Sequence, residues 1–138
     1  MGKIKVEDLG VGDWVYYDKG NTPYSIRSIY RTGTGDCVVL NDNTYSDGVI
    51  AFVYRLTPIP ITAEILEKNG LEYVDDGNDA VIFLCCDMFW ARLCVGDTFW
   101  QVGIHSEDRL DAVVCNVKHI HELQHALRLA KVRKEIVL

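Results

Sequence analysis

The segment "LTPIPIT" (56–62) constrains this chain more than any other stretch. Pro58 and Pro60 fix their own φ angles, remove two backbone donors and push the residue before each of them out of the helical region. The segment is therefore an extended linker with no helix. It is the best internal boundary in 138 residues, and it separates residues 1–57 from 58–138.

Ahead of the prolines the pattern is short strands and tight turns. In "VGDWVYYDKG" a Gly-Asp turn leads into a β-branched and aromatic run. Trp14 and Tyr16 fall on one face, Val15 and Tyr17 on the other. "DKGN" turns the chain, "YSIRSIYRT" alternates with period two, and "GTGD" leads into "CVVLN". "DNTYSDG" is a further polar turn before "VIAFVYRLTPI". Four or five strands in about 57 residues, with Gly, Asp and Asn at the turns, predict a small curled antiparallel sheet. The expected form is an SH3-like small β-barrel. Its aromatics, Trp14, Tyr16 and Tyr30 among them, either fill a small core or line a binding rim.

Beyond the prolines the expectation is an α+β unit: a helix, three strands, a helix and a short strand. The two helices would lie on an antiparallel or mixed sheet. Thr62 is a fair N-cap, Ile65–Glu67 fall in the first helix, and Asn69-Gly70 ends it. "AVIFLCCDMF", "WARLCVGDTFWQVGI" and "AVVCNV" read as strands, with turns at "DDGND" and "GD". Trp90, Phe99 and Trp100 read as core or interface. Residues 118–130 form the main helix, and "EIVL" at the end reads as a short strand. The whole chain is expected to be α+β.

A composition of 49% hydrophobic and 25% charged residues excludes a disordered chain. The net charge of −6 leaves no broad basic surface for non-specific nucleic-acid binding. A local basic cluster exists in Lys118, Arg128, Lys131, Arg133 and Lys134. It reads first as a solvated, dipole-compatible helix end. The opening residues hold no long apolar stretch, so no leader is expected, and no run is long enough to span a membrane. The five cysteines are Cys37, Cys85, Cys86, Cys94 and Cys115. An odd count with two adjacent members fits buried thiols in a reducing compartment, hence a cytoplasmic protein. Cys85 and Cys86 point to opposite faces of a strand, a poor arrangement for joint metal binding.

"KHIHELQH" (118–125) contains H-E-x-x-H. On a helix, His121 and His125 share a face and could chelate one ion, with Glu122 acting on a bound water. Against this, Ile120, Leu123, Leu127 and Ala130 form the apolar stripe, which leaves His121, His125 and Arg128 on the side expected to face solvent. A catalytic zinc needs a third protein ligand. Arg128 and Lys131 stand where a metzincin has its glycine and last histidine, and Glu135 is the one carboxylate after His125. No metal and no cofactor are expected, and His121 with His125 would be the ligands only under the zinc reading. "GTGDC" lacks a phosphate-loop lysine, and the Asp75–Asp79 cluster lacks the rest of a calcium loop. No coherent catalytic set emerges.

"PIPITAEILEKNGLE" and "VKHIHELQHALRLAKVRKEI" resemble two shared blocks of small uncharacterised proteins from Bacteroides-type gut bacteria and their phages or mobile elements. Those proteins also open with a segment like "VGDWVYY". The second block often has asparagine at the position of His125, which sets the H-E-x-x-H match apart as a peculiarity of this sequence. The resemblance carries no established activity and no functional residues. It implies a compact accessory protein acting on host or phage macromolecules.

The leading expectation is a non-enzymatic protein–protein interaction or accessory protein that binds a protein partner or itself. Candidate interaction residues are Trp14, Tyr16, Tyr30, Arg128, Lys131, Arg133 and Lys134, with "EIVL" as an edge strand open to a partner. The alternatives are a nucleic-acid-binding module, using barrel aromatics and the basic cluster, and a zinc-dependent hydrolase through His121, Glu122 and His125.

Overall fold

The computed structural model describes residues 4–74, 81–85, 89–93, 98–106, 109–130, 132 and 134–138. Two compact units result, Met1–Ile59 with Leu138, and Pro60–Val137.

In the first unit, β1 (Trp14–Tyr17), β2 (Pro23–Tyr30), β3 (Cys37–Leu40), β4 (Val49–Phe52) and β5 (Leu56–Pro58) form one antiparallel sheet in the order β4-β3-β2-β1-β5. Period-two alternation sets which side is buried. Val15, Ile26, Val38, Leu40 and Ala51 lie against Ile4, Val6, Leu9, Val53 and Leu56. Each such aliphatic side chain contributes about 1.5–3 kcal/mol when fully buried. Trp14 and Tyr16 take the other face and remain half-buried.

Two turns set the strand geometry. Asp18 and Lys19 both have positive φ, 55° and 62°, the mirror-image turn whose twist suits a hairpin. Gly48 (φ +80°) immediately precedes β4, and a Cβ there would lie 2.5 Å from the Leu40 carbonyl oxygen. That position accepts glycine alone.

The sheet is open, and the SH3-like barrel expected from the sequence is not formed. Closure requires the two edge strands to bond each other. Here the chain leaves β4 through a 3-10 turn at Val53–Arg55, and β5 then pairs with β1 at the far side of the sheet. β4 and β5 are thus opposite edges of an open sheet.

In the second unit, α1 (Ala63–Lys68) is followed by β6 (Glu72–Val74), β7 (Val81–Cys85), β8 (Phe89–Leu93), β9 (Trp100–Ser106) and β10 (Arg109–Val117), then α2 (Ile120–Leu129). The strands form an antiparallel meander in the order β10-β9-β8-β7-β6. Five strands replace the three expected: "EYV" contributes β6, and the long "WARLCVGDTFWQVGI" run divides between β8 and β9. The turns expected at "DDGND" and "GD" lie outside the described residues.

α1 forms as its sequence signals require. The Thr62 side chain accepts from the Ile65 N–H at 3.2 Å, which satisfies one of the helix's orphan donors. Gly70 adopts φ +81° just after the helix. The fully buried residues of this unit include Leu66 of α1, Phe83 and Phe89 of the sheet, Ile120, Leu123 and Leu127 of α2, and Ile136. Trp90 and Trp100 are buried, and Phe99 is half-buried.

The terminal strand expected at "EIVL" is absent: Glu135–Leu138 have no regular secondary structure. A side chain takes the place of a partner strand. The Asn69 amide accepts from the Val137 N–H at 2.7 Å and donates to the Val137 carbonyl at 3.1 Å. Asn69 Nδ2 also donates to the Ile65 carbonyl at 2.9 Å. One buried amide therefore fastens the tail to the end of α1. Among the described residues no helix is long and apolar enough to cross a membrane.

Candidate interaction surface

Among the described residues, exposed apolar side chains gather at the β4 edge. β4 reads Val49-Ile50-Ala51-Phe52, apolar at every position. Val49 and Ala51 face the core side. Ile50 and Phe52 face outward, 73% and 44% exposed. The neighbouring strands extend this face: Phe52 pairs with Cys37, which pairs with Tyr30, and Ile50 pairs with Val39, which pairs with Ser28. Tyr30 is 54% exposed and Tyr54 67%. The Phe52 and Tyr54 rings are stacked, with centroids 5.4 Å apart and planes 18° apart. Contiguous exposed aromatics beside aliphatics are characteristic of interaction sites, whereas scattered apolar residues are ordinary.

The backbone of β4 is open along the same edge. The Val53 N–H donates to the Asp36 carbonyl at 3.0 Å, one rung beyond the Cys37–Phe52 pair. Bonded and non-bonded rungs alternate in an antiparallel ladder. Val49, Ala51 and Val53 therefore bond to β3, and Ile50 and Phe52 direct their N–H and C=O groups away from it. The Phe52 carbonyl is the first acceptor of the 3-10 turn at Val53–Arg55, which leaves the Ile50 N–H and C=O and the Phe52 N–H on the open edge.

Charge brackets the strand. Asp47, exposed, lies two residues before it, and Arg55 lies three residues after it. The Arg55 proton is held more tightly than usual, first by a hydrogen bond with Tyr54 and then by the Asp18 carboxylate. The Arg55–Asp18 contact is 3.4 Å and lies in solvent, so it contributes little to stability.

The aromatic residues expected to share one rim do not meet. Tyr16 pairs with Pro23 at one end of β2, and Tyr30 is at the other end of that eight-residue strand. Trp14 lies instead on a cleft of about 370 Å³ with Tyr24, Asn41 and Asp42. The polar groups of that cleft are engaged in holding its wall. Asn41 accepts from Arg27 Nε at 2.7 Å and donates to Ser25 Oγ at 2.9 Å. Asp42 Oδ1 accepts from the Thr44 and Tyr45 N–H groups.

Arg128 and Lys134 belong to the second unit, where the Arg128 guanidinium lies 3.8 Å from Glu135. Lys131 and Arg133 lie outside the described residues.

The H-E-x-x-H helix differs from its sequence reading. His121 is 5% exposed and does not lie on a solvated face; the helix buries a second side that also includes Gln124. The His121 and His125 rings are edge-to-face at 6.0 Å, and the His119 ring is stacked on His121 at 5.8 Å. Glu122 turns to the helix start, where Oε1 accepts from the Lys118 and His119 N–H groups at 3.1 and 3.0 Å and lies 2.9 Å from His119 Nδ1. It serves as a capping carboxylate beside the positive end of the dipole. A residue held this way is poorly placed to act as a general base on a metal-bound water. Among the described residues no group of three His, Cys, Asp or Glu side chains could hold a metal ion. Cys115 near this cap has its thiol pKa raised, by burial first and by the Glu122 carboxylate second.

Sequence reasoning missed Ile50 and Phe52. The signal was present: "VIAF" has no polar position, although one face of an outer strand of an antiparallel sheet is ordinarily polar. No family model, curated protein or solved structure matches this chain.

Proposed function

We propose that the chain is a non-enzymatic protein-interaction module that takes an extended protein segment as an added strand on β4. The observation that carries this reading is the open β4 edge, where the Ile50 N–H and C=O and the Phe52 N–H face outward beside the exposed Ile50 and Phe52 side chains. Strand addition uses both parts: backbone hydrogen bonds supply affinity, and alternate side chains supply specificity. Tyr30 and the stacked Phe52–Tyr54 pair would receive the apolar side chains of the added strand. The free thiols Cys37, Cys85 and Cys115 accord with a cytoplasmic setting. The resemblance of the linker and helix blocks to small proteins of gut bacteria and their phages or mobile elements gives the proposal its biological frame, an accessory protein.

Fluorescence anisotropy against a panel of extended peptides with alternating apolar residues tests this reading. Binding that is lost in Ile50→Lys supports it. Absence of binding across the panel, or binding unchanged in Ile50→Lys, contradicts it.

A further inference from the structure

We propose that Asn69-Gly70 is a latent deamidation site, kept unreactive by the docked C-terminal tail and opened when the tail leaves. Its product then bars the tail from docking again. The site lies in the second unit and is independent of the β4 edge.

Asn69-Gly70 is the one Asn-Gly pair in the sequence. Asparagine before glycine is especially prone to spontaneous ring closure, because glycine has no Cβ to hinder its own nitrogen. The Gly70 nitrogen attacks Cγ of Asn69 and loses its proton. The new N–Cγ bond closes a succinimide as the Cγ–Nδ2 bond breaks and ammonia leaves. Water then opens the ring at either carbonyl, giving aspartate or isoaspartate. The only co-reactant is water.

The fold opposes each part of this attack. Asn69 is 8% exposed, and both ends of its amide are held. Oδ1 accepts from the Val137 N–H at 2.7 Å, and Nδ2 donates to the Ile65 and Val137 carbonyls at 2.9 and 3.1 Å. The nucleophile is held too, because the Gly70 N–H donates to the Glu67 carbonyl at 3.0 Å. Asn69 has φ −94° and ψ 11°, which turns the Gly70 nitrogen away from Cγ. Closure requires a large rotation about ψ, and that rotation breaks the helix cap. The tail also crosses the attacking residue: a Cβ on Gly70 would lie 3.5 Å from Lys134 Nζ. Two of the three side-chain bonds go to Val137, so departure of the tail removes most of the restraint. What remains is a helix end, which opens by fraying.

The product cannot rebuild the clamp. An amide both donates and accepts, whereas a carboxylate only accepts. Aspartate at this position would set an oxygen against the Ile65 and Val137 carbonyls, where Nδ2 now donates. The Lys134 ammonium offsets the new charge but does not replace the lost donors. Isoaspartate adds a methylene to the main chain, which breaks the spacing of the Gly70-to-Glu67 and Leu71-to-Leu66 backbone bonds. Time spent with the tail released is therefore recorded covalently. The recorded form leaves Ile136, 1% exposed when docked, uncovered.

Peptide mass spectrometry that resolves asparagine, aspartate and isoaspartate at position 69 tests the site. The full chain is held at mildly alkaline pH beside a synthetic peptide of residues 65–73. The native chain is expected to deamidate about tenfold more slowly than the peptide, or slower still. Ile136→Ala loosens the tail and is expected to recover most of the peptide's rate, with circular dichroism confirming that the chain is folded. Glu135→Ala removes the Gln124 bond to the tail and is expected to accelerate the reaction with less disturbance to the core. Should Ile136→Ala unfold, Glu135→Ala decides. Limited proteolysis of Asn69→Asp tests the product, which is expected to be cut near residues 135–138 faster than the native chain. A native chain that deamidates as fast as the peptide overturns the proposal, as does an unchanged rate in the folded tail variants. Native-like digestion of Asn69→Asp overturns the claim that the product keeps the tail from docking.

Discussion

The first unit's sheet has two edge strands, β4 (Val-Ile-Ala-Phe) and β5 (Leu-Thr-Pro), yet only one of them offers outward donors to a further strand. At β5, the Asp18 N–H donates to the Arg55 carbonyl at 3.1 Å, so by alternation Thr57 bonds to β1, and Leu56 and Pro58 face the open side. Pro58 has no N–H to offer. At β4, the corresponding residues are Ile50 and Phe52, and both have donors. Proline on an outer strand is a common device against unwanted pairing. The contrast teaches that exposure of a strand edge is not itself a binding surface. What counts is which backbone groups point outward and whether the sequence has disabled them. The C-terminal tail is a third case: Val137 would offer an edge, but the Asn69 amide already occupies it.

The largest expected effect separates the buried from the outward side of the β3–β4 pair. Leu40→Ala removes a fully buried side chain and is expected to destabilise the first unit by about 2–5 kcal/mol in urea denaturation. Ile50→Ala, on the exposed face, should change stability by less than about 0.5 kcal/mol. Similar losses at both positions would contradict the assignment of faces.

Next in size is the tail. Asn69→Ala leaves the Val137 amide and carbonyl without their partner, and it is expected to lower the stability of the second unit by about 1–3 kcal/mol. Limited proteolysis should then cut near residues 135–138 faster than in the native chain. An unchanged digestion pattern would show that buried Ile136 and the Gln124–Glu135 hydrogen bond hold the tail without the Asn69 amide.

Exchanging the character of the two sheet edges is subtler. Ile50→Pro makes β4 resemble β5, and its effect on folding stability should be small because the deleted donor faces outward. Pro58→Val restores one donor to β5, where the Leu56 N–H is already bonded to the Val53 carbonyl, and should add some concentration-dependent association at that edge. If Pro58→Val leaves the association state unchanged, the missing donor is not what silences β5.

The smallest effect concerns the α2 cap. Burial and the Glu122 carboxylate both favour the neutral Cys115 thiol, and the thiolate is the reactive form. Alkylation of Cys115 should therefore need a higher pH than an ordinary thiol. Glu122→Gln, which keeps an acceptor for the cap but removes the charge, should move the profile toward lower pH. No movement would show that burial alone sets it.

Local chemistry was legible in the sequence. Thr62, Asn69-Gly70 and the alternation of Trp14-Val15-Tyr16-Tyr17 each act within a few residues, and the structure follows them. Features that depend on distant partners were not legible. Whether five strands close into a barrel depends on β4 meeting β5, and the 3-10 turn that separates them has no strong local signature. "EIVL" has strand-like composition, but its backbone partner is Asn69, 68 positions away. His121 sits opposite the apolar stripe of α2 on an isolated helix, and its burial depends on segments brought over it by the fold. "VIAF" was read as one more strand because composition does not say whether an all-apolar strand is central or an edge awaiting a partner.

Amide hydrogen exchange at β4, followed residue by residue without and with an extended peptide of alternating apolar residues, examines the open edge most directly. In dilute solution the Ile50 and Phe52 amides should exchange fast while Ala51 and Val53, bonded to β3, remain protected. With the peptide bound, Ile50 and Phe52 should become protected as well. Protection of Ile50 and Phe52 already in dilute solution would show that the edge is occupied within the chain. Fast exchange at every peptide concentration would show that no added strand takes it.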